Sequence, residues 1–253
     1  LTEADIKKNR DEVIRLLRST GREGVETLIE YQGVFVDPAK GLDLLRMNTL
    51  VVVVDCHSLS MVENPDICKN AVSVVIIDHH RKMVNHIDNA VIFFHEPTAS
   101  STCELITELV SYLGDDNLTH DEAEAMLAGI MLDTKNFVVK TGVRTFEAAA
   151  YLRKKGADTV AVRDIFSNSL EDYKEKCKLV ADAQIVRHCA ITVERESLKN
   201  SRIICAQAAD DLLTIQSVYA SFVISKIDRF RVNISARSFG KVNVQVIMEK
   251  LGG

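Results

Sequence analysis

The sequence predicts an α/β protein: a doubly wound, mainly parallel sheet followed by a smaller α+β domain. Three observations carry this expectation. Short apolar runs rich in β-branched residues alternate with amphipathic stretches through the first two-thirds of the chain, each run too short for a long helix. A charged segment free of Gly and Pro, 169–182, then interrupts the alternation. Beyond it the pattern changes to closely spaced short strands.

The elements follow in order. Ile6, Val13, Leu16 and Leu17 among many charges predict an amphipathic helix over 2–19 from a Thr2 cap, and a second helix follows Gly24. After the break at Asp37-Pro38, Leu42, Leu44 and Leu45 predict a short helix leading to Leu50–Val54, a strand buried on both faces. Val72–Ile77 and Val91–Phe94 repeat the strand pattern. Ser100-Ser101-Thr102 caps a helix to about Leu113, with Glu104 near its first turn. Asp121–Asp133 forms another, with Ala123, Met126, Leu127, Ile130 and Met131 on its apolar side. Helices are expected over 145–155 and 169–182. The tail reads as strands at 184–194, 202–205, 219–225 and 230–236, with helices near 206–214 and 243–250. A cleft between the two domains is the expected ligand site.

Composition excludes some functions. A 253-residue chain with 47% hydrophobic and 26% charged residues is ordinary globular material. Its net charge of −5 argues against a broad basic face for duplex nucleic acid, so any anion is expected at a specific site. The six cysteines form no CxxC pair and read as reduced, packed thiols. No apolar run approaches the roughly 20 residues of a membrane span.

Polar residues that follow apolar runs carry the chemistry. Asp55 and His57 follow Leu50–Val54; Asp78, His79 and His80 follow Val74–Ile77; Asp133 closes a helix. Parallel strands share one carboxyl edge, so the first two clusters can converge there. Carboxylates and imidazoles without a thiolate favour Mn²⁺ or Mg²⁺, and paired ions sharing a carboxylate suit hydrolysis of phosphate esters. An Asp after a strand is also an ordinary turn or cap residue, and His57, His86, His95, His120 and His188 each read most simply as surface or core histidines. Cys56, with no base beside it, reads as packing. Arg81 and Lys82 suit phosphate or solvent equally. Ser235 and Arg237, two apart on one strand face, suit either a phosphate clamp or an edge-strand salt bridge, and Gly252-Gly253 suits a helix C-cap.

With these residues in view, the sequence resembles the DHH phosphoesterase family with its DHH-associated C-terminal domain, most of all the GdpP-type cyclic-di-AMP phosphodiesterases. The likeness runs over roughly 45–253 and rests on VVVVDCHSLS (51–60), VVIIDHHRK (74–82), EPTASSTCELITEL (96–109), LAGIMLDTKNF (127–137), KTGVRTFEAAAYLRKKGADTV (140–160), AQAADDLL (206–213) and SARSFGKVNVQVIMEKLGG (235–253). It implies a DHH domain over 1–168, a connector helix over 169–183 and a substrate-binding domain over 184–253. Asp55 would be shared by two Mn²⁺ ions, with Mg²⁺ as the alternative, and His79 and Asp133 would ligate one of them. His80 would face the scissile phosphate, supported by Asp78. Ser235, Arg237, Asn243 and a glycine loop beginning at Gly252-Gly253 would hold the substrate.

The implied reaction is hydrolysis of a cyclic dinucleotide, cyclic-di-AMP first, to a linear dinucleotide. The alternatives are a nanoRNA or pAp phosphatase, a RecJ-like exonuclease acting on short oligonucleotides, and an inactive nucleotide-sensing domain. A homodimer is an allowed assembly, and the implied location is a cytoplasmic module of a membrane-anchored parent. The family's opening His/Asp/Asp motif is expected upstream of Leu1, since no His precedes His57, and residues 1–253 alone are expected to bind metal weakly. Cys56 stands where Thr is usual, and Ser58-Leu59 where a basic residue and Pro are common.

Overall fold

A computed structural model of the chain describes residues 37–112, 118–194 and 200–252. The helices expected over 2–19 and after Gly24 lie outside these residues. The chain divides into two compact units, Leu1–Phe166 and Ser167–Gly253.

The first unit is built on a three-stranded parallel sheet of β1 (Leu50–Val54), β2 (Ser73–Asp78) and β3 (Ile92–His95), in the order β1-β2-β3. Its register pairs Val51 with Val74 and Val53 with Ile76. The apolar runs are unbroken because both faces are covered. Val51, Val53, Val74 and Ile76 pack with Cys56, Cys68 and Ile87, while Val52, Val54, Val75 and Ile77 pack with Ala99 and Leu105.

The helices of this unit have local causes. Pro38–Gly41 (α1) and a 3₁₀ turn, Leu42–Leu44, precede β1; Pro65–Asn70 (α2) starts from an Asn64 cap with Pro at its first position. Thr102–Tyr112 (α3) is followed by His120–Asp133 (α4), which opens on a capping box between Thr119 and Glu122. Val143–Lys154 (α5) and Thr159–Ile165 (α6) complete the layer, the latter capped by Asp158. Leu118, Ala123, Met126, Leu127, Ile130, Ala148, Leu152 and Val162 form their shared core. At Gly129 helix α4 comes so close to α3 that an added Cβ would overlap Cys103 Sγ. After α4 three successive residues, Lys135, Asn136 and Phe137, take left-handed backbone with φ of 52, 56 and 64°. Thr134 Oγ1 holds that turn by accepting from the Phe137 amide at 2.9 Å.

The second unit opens with Leu170–Ala181 (α7), which packs against Ser201–Leu212 (α8). Its sheet runs β4 (Gln184–Val186), β5 (Cys189–Val193), β6 (Ala220–Lys226) and β7 (Val232–Ser238) in that order, and Val244–Lys250 (α9) follows. The β5–β6 pair is parallel and the other two pairs are antiparallel. Leu179, Ala190, Ile204, Cys205, Ala208, Leu212 and Val223 fill the space between helices and sheet.

Two expectations are corrected here. The strand expected over 184–194 is a hairpin, turned by Arg187 and His188, both left-handed. The strand expected over 202–205 is the start of α8: the Ile203-Ile204-Cys205 triple belongs to a helical stripe through Ala208 and Leu212. Helices α2 and α6, each seven residues or fewer, have no counterpart among the expected elements. Among the described residues no helix is long and apolar enough to cross a membrane.

Candidate metal and phosphate site

Strands β1 and β2 end side by side, and their last residues supply the first polar groups. The Asp55 amide continues the ladder by donating to Ile77 O at 3.0 Å, but its own φ of 62° swings the side chain out of the strand. Asp55 Oδ1 accepts from Thr102 Oγ1, at the start of α3, at 3.0 Å. The carboxylate is thus anchored from across the sheet edge. Glu104, in the first turn of the same helix, is buried and accepts from Ser100 Oγ at 2.5 Å and Thr145 Oγ1 at 2.6 Å, which fixes α3 against α5.

His79 is 5% exposed. Its Nδ1 donates to Ala99 O at 3.4 Å, which leaves Nε2 without a proton in the neutral ring. That Nε2 is buried and has no hydrogen-bond partner, although Asp55 Oδ1 lies 3.5 Å away and Asp133 Oδ2, at the end of α4, 3.4 Å away. Burial pushes the His79 imidazolium down, and the Asp133 and Asp55 carboxylates more than reverse this, holding the group at about 9. A lone pair and two carboxylates facing one point repel unless a proton or a cation sits among them. A divalent cation fits this arrangement, and the donor set of carboxylates and imidazole is the one that suits Mn²⁺ or Mg²⁺. Cys56, next to Asp55, does not compete. Burial, with the Asp78 and Asp55 charges, raises its thiol to about 12, so it stays protonated as a packed side chain.

Asp78 and His80 form the second half of the site. Asp78 is fully buried, and its Oδ1 accepts from the His80 amide at 3.0 Å and from His80 Nδ1 at 2.8 Å. Burial raises the Asp78 carboxyl, but the hydrogen bonds from His80 and His57 drive it well below the usual carboxylate range, so it is ionised. The bond to Asp78 raises His80 in turn, against burial. With Nδ1 committed to Asp78, the remaining polar atom of His80 is Nε2, on a side chain that is 49% exposed. A half-exposed imidazole whose protonated form is favoured by a buried carboxylate suits a phosphate oxygen.

The structure brings together Asp55, Asp78, His79, His80 and Asp133, all of which the sequence singled out. The sequence places His57 beside Asp55, but both His57 and His95 read there as surface or core histidines rather than as part of the site. His57 Nδ1 bonds to Asp78 Oδ2, and His95 Nε2 donates to His80 O at 2.5 Å. The one sequence signal for His57 is its place two residues beyond Asp55. Lys82 lies over the Phe93 ring, 5.0 Å from its centroid. A further group, His120, Asp121 and Glu124, has two exposed members and a Glu124 Oε1 that already accepts from the Asp158 amide at 3.0 Å, the pattern of an ordinary helix pair.

In the second unit, Ser235 and Arg237 lie on the face of β7 turned toward α8, where Arg237 Nε donates to Asp210 Oδ1 at 3.0 Å. Asn243 caps α9, its Oδ1 accepting from the Val246 amide at 3.2 Å, and Gly252 ends that helix at φ 87°. Gly253 lies outside the described residues.

The chain is similar to known proteins over most of its length. The family model described as "DHH family, N-terminal domain" matches residues 4–130. The cyclic-di-AMP phosphodiesterase GdpP of Geobacillus thermodenitrificans is 46% identical over 86% of this chain and 33% of its own length. The cyclic-di-AMP phosphodiesterase PdeA of Listeria monocytogenes is 44% identical over 88% of this chain and 35% of its own. The chain therefore spans about a third of these curated relatives. Among solved structures, an exopolyphosphatase-related protein from Bacteroides fragilis superposes with a TM-score of 0.68 at 21% identity, over 77% of this chain and 60% of that one, which speaks for the fold.

Proposed function

The chain belongs to the DHH family, and on that premise we propose that it is a metal-dependent phosphodiesterase module that hydrolyses a cyclic dinucleotide, cyclic-di-AMP, to the linear dinucleotide. The observation that carries this reading is the buried His79 Nε2, unpartnered between the Asp55 and Asp133 carboxylates and beside the half-exposed His80. Two divalent ions, Mn²⁺ or Mg²⁺, would supply Lewis-acid polarisation of the phosphoryl oxygens and lower the pKa of water. Asp55, His79 and Asp133 would hold them.

The chain's own residues do the rest. Thr102 orients Asp55, and Ala99 O orients His79 so that its Nε2 lone pair faces the carboxylates. Asp78, ionised and buried, holds His80 by Nδ1 and amide together. His80 then turns its Nε2 toward a non-bridging phosphate oxygen, and in its protonated form, which Asp78 favours, it would bind the dianionic substrate by charge as well as by hydrogen bond. Ser235, Arg237, Asn243 and the segment at Gly252-Gly253 serve as substrate contacts of the second unit in this reading. The relatives' names support cyclic-di-AMP, and the net charge of −5 favours a small nucleotide over duplex nucleic acid. The location we propose is a cytoplasmic module of a longer, membrane-anchored protein.

The test is chromatography of cyclic-di-AMP incubated with the intact protein and Mn²⁺. A linear dinucleotide should form, and its formation should stop with Asp133→Asn or with chelator. Tight binding of the nucleotide with no product would replace the enzyme by a sensor. Preference for linear di- or oligonucleotides would move the substrate elsewhere in the family.

A further inference from the structure

We infer that His57 is a positioning residue, locked in the tautomer with its proton on Nδ1, which through Asp78 fixes the ring of His80 against the substrate phosphate. The inference rests on the phosphodiesterase reading for its last step alone.

His57 is 1% exposed, and both of its ring nitrogens are engaged. The Met83 amide donates to Nε2 at 2.8 Å, so Nε2 carries no proton. The ring's one proton is then on Nδ1 and points at Asp78 Oδ2. A proton on Nε2 would set an N–H against the Met83 N–H in a buried place. His57 is therefore held to one tautomer from two sides, and Asp78 is the charged group its ring nitrogens meet.

The consequence passes through Asp78. Its Oδ1 is occupied twice by His80, and its Oδ2 is held by His57. A carboxylate gripped at both oxygens cannot swing about its broad terminal torsion, so the His80 ring it supports cannot swing either. Without His57, Oδ2 would be a buried acceptor with a partner lost, and the cheapest relief is rotation of Asp78 away from His80. His57 also ties the segment that follows. Its carbonyl accepts from the Ile87 amide at 2.8 Å, so residues 79–87 are pinned at Met83 and Ile87 while His95 holds His80 O.

Two near-isosteric variants separate positioning from filling space. In His57→Asn the amide nitrogen stands where Nδ1 stood and still donates to Asp78, but the acceptor for Met83 is gone. In His57→Gln the amide reaches the Nε2 position and keeps Met83, but the donor to Asp78 is gone. His57→Asn should keep kcat within about 3-fold of wild type, whereas His57→Gln should lose about 100-fold in kcat with KM nearly unchanged, at matched Tm. Equal losses in both, or losses that follow Tm, overturn the inference. A second measurement needs no turnover and no variant. Long-range ¹H–¹⁵N correlation spectra of the protein at neutral pH should show His57 protonated at Nδ1 and bare at Nε2. A proton on Nε2 sinks the inference even if the enzyme is active. If wild type hydrolyses no phosphodiester, the spectra still decide the tautomer, and only the substrate end of the argument is lost.

Discussion

Replacing Asp133 by Asn tests the metal reading most directly. Asp133 Oδ2 lies 3.4 Å from His79 Nε2, one of two carboxylate oxygens facing that atom, and asparagine keeps its shape while removing its charge. Loss of an outer partner of a metal ligand costs 10–100-fold in affinity, so loss of a ligand's charge is placed at about 100-fold. Binding to the native state alone stabilises by RT ln(1 + [L]/Kd), so Mn²⁺ at about 100 times the wild-type Kd adds about 2.7 kcal/mol. For a chain of this length each kcal/mol moves Tm by about 2–4 °C, giving a rise of about 5–11 °C. At the same Mn²⁺ concentration the variant is near its own Kd and gains about 0.4 kcal/mol, a rise of about 1–2 °C. The assay is thermal unfolding of both proteins with and without Mn²⁺. Each protein serves as its own reference, so any change in the metal-free variant cancels. An undiminished rise in Asp133→Asn would show that the cation is held elsewhere, and the site argued from His79 would fall.

Further expectations follow from the fold. Gly129→Val should destabilise by about 1–3 kcal/mol, because a side chain there overlaps Cys103 Sγ; combining it with Cys103→Ala should cost less than the sum of the single losses, and strict additivity in denaturant melts would contradict the contact. Thr119→Ala should cost about 1 kcal/mol by removing the cap that accepts from and donates to Glu122, and an unchanged midpoint would count against it. With a thiol reagent at pH 8, exposed Cys177 should react first, while Cys56, with only about 1 in 10⁴ as thiolate, and buried Cys103 should not react until the protein unfolds. Peptide mapping that finds Cys56 labelled in the native protein would refute the burial argument.

The legible parts of the fold are those where a physical demand leaves a one-dimensional trace. Covering both faces of a parallel sheet requires unbroken apolar strands, and Leu50–Val54 and Val74–Ile77 show that requirement directly. Because parallel strands end on one edge, the order of residues alone is enough to place Asp55, Asp78, His79 and His80 together. Asp133 closes its helix 54 residues after His79, and its ligand role came with the family resemblance rather than from spacing. The 184–194 hairpin was missed because Arg187 and His188 adopt left-handed backbone without the Gly or Asn that advertises such turns. Ile203-Ile204-Cys205 misled for a related reason. A short apolar run reads the same in a strand and on a buried helix, and only the stripe it joins at Ala208 and Leu212 decides. His57 stands beside Asp55 in the sequence, but its burial and its bond to Met83, 26 residues away, are tertiary facts that no spacing shows.

The left-handed backbone at Asp55 bears on how position 55 can be studied at all. Outside glycine, Asp and Asn are the residues that visit this region most readily, and others pay roughly 1–2 kcal/mol to do so. Alanine there would mix two losses, a missing carboxylate and a backbone pulled toward another conformation. Asparagine would remove the charge and leave the chain path intact, and glycine would remove the side chain while relaxing the chain. The three variants together form a ruler with chemistry on one axis and geometry on the other, and the commonest single choice, alanine, is the one whose reading falls on neither.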